Sequence, residues 1–169
     1  RRQRQMCIRD RTGADMDVIR SVKRPVKEVD YGFVGDVKHV NAEVLVSLIS
    51  QGVVPVMAPL THDGEGNMLN TNADTIAGET AKALAEAFDV TLIYCFEKKG
   101  VLRDADDDES VIPVITPELF QKYVAEGIIQ GGMIPKLENS FSAVEAGVSQ
   151  VVITLASAID GKSGTIIKK

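Results

Sequence analysis

From residue 12 onward, short apolar runs alternate along the chain with segments of helical period. The runs at 53–58, 90–96 and 151–156 are rich in Val, Ile, Leu or Thr and are bounded by glycine or polar residues, which predicts buried strands. The Gly-interrupted stretch at 33–37 is a weaker run of the same kind. Segment 41–50 puts Val44, Leu45, Leu48 and Ile49 at helical spacing, and segment 74–88 is rich in alanine. Segment 117–126 opens on Thr116 and Pro117, an N-cap residue followed by a first-turn proline. A fourth helix is predicted to begin near Met133 and run to Ala146, where Gly147 supplies the stop. Near-continuous apolar strands separated by helices predict an α/β fold, a three-layer αβα sandwich with a mostly parallel central sheet covered on both faces.

Residues 1–11 stand apart, with five arginines and no apolar periodicity. A solvated basic tail and a nucleic-acid- or membrane-binding arm both fit that composition. The run R-R-Q-R-Q-M-C-I-R-D-R also resembles the translation of sequencing-adapter read-through at a broken gene end. The segment is expected to be loose and dispensable, with the domain occupying residues 12–169.

Composition narrows the class. The 169 residues are 44% hydrophobic and 25% charged, as in an ordinary globular domain. A chain of this length hides roughly 70% of its unfolded surface on folding, enough for a core without disulfides or metals. A formal net charge of −5 argues against a general nucleic-acid binder, which needs an excess of Lys and Arg to neutralise phosphates. The two cysteines, Cys7 and Cys95, lack disulfide-framework or zinc spacing. No apolar run approaches the roughly 18 residues of a membrane helix, and no signal segment opens the chain. A cytoplasmic protein without membrane contact is expected, with Cys95 in the core and His39 and His62 in surface or loop positions rather than as ligands. The acidic run at 104–109 reads as an exposed loop, because a calcium loop starting there would lack its central Gly and closing Glu. No protein metal site is predicted.

In parallel α/β sheets, ligands bind beyond the carboxyl ends of strands, among loops and helix starts. Three segments meet that description. Asn70-Thr71-Asn72-Ala73-Asp74 stands at the entry of the Ala-rich helix, where one side chain, Asn72 by position, suffices to cap the exposed N–H groups. Asn70 and Asp74 are then left without a structural task. Glu97-Lys98-Lys99-Gly100-Val101-Leu102 follows the second strand and by itself is a surface turn. In Gly131-Gly132-Met133-Ile134-Pro135-Lys136, paired glycines allow close backbone approach to an anion, the helix start adds positive potential, and Lys136 adds a cation one turn in. A turn before a helix with one exposed lysine is the plainer alternative. The familiar phosphate-loop and dinucleotide patterns are absent.

Taken together, V-V-P-V-M-A-P, N-T-N-A-D, a strand closing in Glu97 before K-K-G-V-L, and G-G-M-I-P-K resemble, in order and spacing, the carboxyl-terminal portion of the acetylglutamate kinase branch of the amino acid kinase family. The stretch K-R-P-V-K-E-V-D-Y-G-F-V-G-D-V and the motif A-P-L-T-H-D are similar to the Bacteroidetes-type versions, some of which act on N-succinyl rather than N-acetyl substrates. The resemblance implies ATP-dependent phosphorylation of the side-chain carboxylate of N-acetyl- or N-succinyl-L-glutamate to an acyl phosphate, in arginine biosynthesis. It implies Lys136 and Asp74 as catalytic residues, Lys136 contacting the transferring phosphoryl group and Asp74 orienting the catalytic lysines. It implies Asn70 and Asn72 on the substrate side, and Glu97, Gly100, Ile128, Ile129, Gly132 and Met133 on the nucleotide side. ATP is implied with Mg2+ held mainly by the phosphates, and a homo-oligomer built on a homodimer is implied for the full-length protein. The family's first strand, its second catalytic lysine, its Gly-rich loop and its carboxylate-gripping arginine have no counterpart here, so this chain alone is expected to show little or no kinase activity. Another amino acid kinase acting on a different carboxylate or a carbamate, and a non-catalytic nucleotide- or effector-binding α/β module, are the alternatives.

Overall fold

A computed structural model of the chain describes residues 10–169, which divide into two compact units at Leu84/Ala85. The first unit contains β1 (Asp10–Thr12), a 3-10 turn at Asp15–Asp17, β2 (Ile19–Lys23), β3 (Gly35–Val40), α1 (Ala42–Ser50), β4 (Val56–Ala58), β5 (Leu60–His62), β6 (Met68–Asn70) and α2 (Ala73–Leu84). The second contains β7 (Thr91–Phe96), β8 (Val114–Ile115), α3 (Pro117–Ala125), α4 (Met133–Glu145), β9 (Gln150–Leu155) and β10 (Thr165–Ile167). The tail expected over residues 1–11 meets this structure at its end, because Asp10 and Arg11 belong to β1. Residues 1–9 lie outside the described residues.

In the first unit β1 pairs in parallel with β4, and a separate sheet runs β3-β2-β5-β6. Within it β2 is antiparallel to β3 and parallel to β5, and β5 is antiparallel to β6. Val18, Ile19, Leu45 and Ile76 form the core, with Val37, Val40, Val44, Met57 and Leu84 packed against it. In the second unit the order is β7-β9-β10-β8, with β7 parallel to β9 in register Thr91 to Gln150, β10 antiparallel to β9, and β8 parallel to β10. The four middle residues of β9 are all buried, as required of a strand covered on both faces. Leu137 and Ala143 of α4 are fully buried, and Phe120 and Phe141 join α3 to α4 with ring centroids 5.5 Å apart.

Parallel pairing joins two of the strands that the apolar runs predict, β7 and β9, while the third, β4, pairs in parallel with β1, which falls at the end of the expected tail and which no run predicts. Antiparallel pairing comes from strands of three to six residues that no long run announces. Strand β4 starts at Val56 rather than at residue 53 because the preceding helix takes Val53 for its own stop. The N–H groups of Gly52 and Val53 donate to the carbonyls of Ile49 and Leu48 at 2.9 and 3.0 Å, a Schellman closure with Gly52 at φ +77°. The same closure ends α3 at Gly127 and α4 at Gly147.

Cys95, expected in the core, is exposed. Along β7 the side chains alternate, and Leu92 and Tyr94 take the buried face. His39 is exposed on β3, whereas His62 is half-buried within β5. Gly64 N–H donates to its Nδ1 at 3.1 Å and its Nε2 lies 2.9 Å from Asp17 Oδ1. Those partners fix the neutral ring as the Nε2–H tautomer. Asp17 also accepts two bonds from Arg20, which, with the contribution of His62, hold its carboxyl below the usual carboxylate range.

Candidate active site

The second unit contains an open cleft of about 1280 Å³ at the carboxyl end of β7, walled by residues 95–98, 100–105 and 127–130 with Met133 and Ala156. Each wall has a local cause. Gly100 packs so closely on β10 that a Cβ there would stand 2.7 Å from Thr165 Oγ1. That hydroxyl accepts the Val101 N–H at 2.8 Å and donates to the Ile112 carbonyl at 2.7 Å, so a buried threonine clamps the turn. On the opposite wall, Gly127 at φ +72° reverses the chain after α3. Both Ile128 and Ile129 N–H groups then donate to the Tyr123 carbonyl, at 2.9 and 3.1 Å, which delivers the two isoleucines to the cleft.

Five of the six residues expected on the nucleotide side, Glu97, Gly100, Ile128, Ile129 and Met133, line this one cleft. Gly132 lies outside the lining, as the N-cap of α4. Gly131 needs to be glycine for its φ of +56°, but Gly132 has φ −66° and open space where a Cβ would be. The start of α4 offers fewer donors than its glycines suggest. Met133 and Ile134 spend their N–H groups on the carbonyls of Gln130 and Gly131, both at 3.2 Å, and Pro135 has none. The charge at this helix start therefore comes chiefly from Lys136. Its half-buried ammonium lies 3.8 Å from the centroid of the Phe96 ring, a cation–π contact with a residue of the cleft wall.

Sequence reasoning missed three features of this cleft. Arg103 lines it, donating to Tyr123 Oη at 3.1 Å with its guanidinium 5.3 Å from the ring centroid. Cys95 lines it too. The acidic run is an exposed loop, as expected, but it is tied down: Lys98 donates to Asp108 at 2.8 Å and Lys99 to Glu109. The acidic partners raise the pKa of both lysines, and Lys98 holds Asp108 below its usual range. The available signal was the pairing of K-K with D-E ten residues on, across a hairpin closed by the Leu102–Val111 bridge.

In the first unit, Asn70, Asn72 and Asp74 are brought together at the junction of β6 and α2. Asn72 is the helix cap, its Oδ1 accepting the Thr75 N–H at 3.0 Å, which leaves its amide NH2 group to face outward interactions. Asn70 is exposed at the last position of β6, with its backbone N–H donating to the Phe33 carbonyl at 2.8 Å. Asp74, half-buried, supplies the carboxylate of the first helical turn, where the helix dipole favours negative charge. Among the described residues no three His, Cys, Asp or Glu side chains converge as metal ligands. None of the described helices is long and apolar enough to cross a membrane.

The chain belongs to the amino acid kinase family, whose model matches residues 6–155. Within that family it is 82% identical over 158 residues to the acetylglutamate kinase of Phocaeicola vulgatus, an alignment covering 94% of this chain and 62% of that protein. The crystal structure of smu.665 from Streptococcus mutans is 33% identical with a TM-score of 0.72, covering 99% of this chain and 64% of that one. Giardia carbamate kinase, at 17% identity, shares the fold with a TM-score of 0.63 over 90% of this chain and 61% of its own. The chain thus spans less than two thirds of the length of these relatives.

Proposed function

We propose that the chain is part of a kinase that transfers the γ-phosphoryl group of ATP to the side-chain carboxylate of an N-acylglutamate, N-acetyl- or N-succinyl-L-glutamate, forming an acyl phosphate for arginine biosynthesis. The observation that carries this is the 82% identity to an acetylglutamate kinase across 94% of the chain. In support, the open cleft of the second unit has room for a nucleotide and combines apolar side chains that suit a base, Val101, Leu102, Ile128, Ile129 and Met133, with charged ones, Glu97, Lys98 and Arg103, and with Lys136 against its wall residue Phe96.

Phosphoryl transfer asks the protein for positioning and for positive charge on the equatorial oxygens rather than for covalent chemistry. Lys136 supplies that charge, and its place above Phe96 limits where the ammonium can go. Glu97, Gly100, Ile128, Ile129 and Met133 hold the nucleoside end, and Gly132 lets the phosphates pass close to the backbone. Asn70 and Asn72 donate side-chain N–H groups to the N-acylglutamate. Asp74 keeps a lysine of the site charged and oriented, since an opposite charge within ~4–6 Å favours the ionised form. Mg2+ arrives on the phosphates, in keeping with its preference for phosphate and water oxygens over an all-protein cage.

The test is an ADP-release assay, with hydroxylamine trapping of the acyl phosphate, on this chain completed by the amino-terminal segment of the P. vulgatus relative. The completed chain is expected to phosphorylate an N-acylglutamate, and the chain alone to show little or no turnover. A completed chain that phosphorylated carbamate or free aspartate but no N-acylglutamate would contradict the proposal.

A further inference from the structure

Thr71 is 4% exposed although Asn70 and Asn72 on either side of it are exposed. Its hydroxyl lies 2.9 Å from the hydroxyl of Thr61 in the middle of β5, a residue with no exposed surface. Thr61 Oγ1 also lies 3.4 Å from the Leu69 carbonyl, so the two hydroxyls find their partners in each other and in the backbone of β6. The Thr71 N–H donates to the Pro59 carbonyl at 3.0 Å. From the third side the backbone of β3 closes in: a Cβ on Gly35 would stand 3.0 Å from Thr71 Oγ1 and 2.8 Å from Leu69 Cβ. The centre of the Asn-Thr-Asn turn is therefore fixed by a hydroxyl, a carbonyl and a glycine, on three different strands or their ends.

A hydroxyl pair inside a small apolar sheet is a poor choice for stability, because two groups of the same shape without polar atoms are nearly equivalent there. It differs from an apolar pair in distance. Two hydroxyl oxygens rest at 2.9 Å, whereas two methyl groups need about 3.5–4.0 Å, so only the polar pair lets the turn sit this deep. We propose that the Thr61–Thr71 pair is a positioning device that sets the depth of the Asn70–Asn72 turn and thereby the affinity for the acyl-acceptor substrate. It rests on the assignment of Asn70 to the N-acylglutamate. Neither threonine touches substrate; both act through the asparagines.

The experiment compares Thr61→Val/Thr71→Val, Thr71→Ser, Gly35→Ala and Asn70→Ala in the completed chain. Double valine replaces the two hydroxyls by methyl groups that need more room, so the turn is expected to move outward at a modest loss of melting temperature. Its KM for N-acetylglutamate is expected to rise about tenfold or more while the KM for ATP stays put, since a displacement near 1 Å is costly for a positioned contact. Thr71→Ser keeps the bond and is expected to restore the parental KM, and Gly35→Ala, which crowds Thr71, is expected to raise it. Parental KM for N-acetylglutamate in the double valine variant, with Asn70→Ala raising it, overturns the proposal. If Asn70→Ala itself leaves KM unchanged, the assignment of Asn70 fails instead, and amide exchange of residues 70–74 in the double valine variant decides the device: faster exchange confined to those residues supports it, and unchanged exchange overturns it.

Discussion

Asp160 sits in the loop before β10 and accepts bonds from the Ser163 hydroxyl at 2.6 Å and from the N–H groups of Ser163 and Lys162 at 2.6 and 2.8 Å. All three favour the charged form, the serine side chain most, and lower its pKa from 3.8 to about 2. Because the folded value is the lower one, the carboxylate's contribution to loop order is complete above the unfolded value near 3.8 and is lost as pH falls through about 2. A carbon-detected titration of Asp160 is expected to show a midpoint near 2, moving upward in Ser163→Ala; a midpoint at the ordinary aspartate value would be inconsistent with the bonded loop. At the cleft, Lys136→Met in the completed chain is expected to lower kcat by about 10²-fold or more, as for loss of a group that stabilises transition-state charge. An unchanged kcat would remove Lys136 from the chemistry. Single residues were legible in sequence where a backbone rule singles them out. Asn72 caps α2 and Thr116 caps α3, accepting the Leu119 N–H at 3.4 Å, and Gly147 stops α4. Arg103 beside Tyr123 and Thr61 beside Thr71 were not legible, because each contact joins residues at least ten positions apart through a fold that no local pattern encodes.

The ends of helices determine which residues reach the site. Gly127 has φ +72° and a Cβ there would approach Gln130 Nε2 to 3.2 Å, so Gly127→Ala is expected to cost about 1 kcal/mol, the penalty of a left-handed position for a residue with a side chain, and to withdraw Ile128 and Ile129 from the cleft. Denaturant unfolding measures the first effect. Gly132→Ala separates folding from binding. Its φ and surroundings accept alanine, so the melting temperature is expected to hold while nucleotide affinity falls; unchanged affinity would mean that no phosphate passes close to this backbone. Leu137, fully buried on α4 beside Lys136, is expected to cost about 2–5 kcal/mol when replaced by alanine. The four helices and the strands β4, β7 and β9 could be read from period and punctuation because they are long enough, or apolar enough, to show one. Strands β5, β6 and β10 have three residues each, too few for an alternation to declare itself, and their pairing is set by neighbours distant in the pattern, β10 beside the six-residue β9 and β5 beside β2.

At the scale of the molecule, the chain folds as two units, each with its own buried apolar cluster. The residues assigned to the acyl acceptor lie in the first and those assigned to the nucleotide in the second. Composition predicted a core of adequate size, and both units have one. Motif order carried the family, because N-T-N-A-D and G-G-M-I-P-K are spaced by the fold between them and not by local structure. Of the exposed apolar side chains at residues 53–56, Val56 belongs to the two-stranded parallel pair of β1 and β4, an arrangement that elsewhere is found covered on both faces, and Val54, 82% exposed, lies just before it. The measurement that bears most directly on the central claim is an amide NMR titration of this chain with a non-hydrolysable ATP analogue and Mg2+. Shifts are predicted at Gly100, Ile128, Ile129 and Met133, which line one cleft, and at Lys136 on its edge, with Asp160 and its loop unmoved. A titration that left the cleft amides unshifted at saturating analogue, or moved only residues elsewhere, would contradict the account.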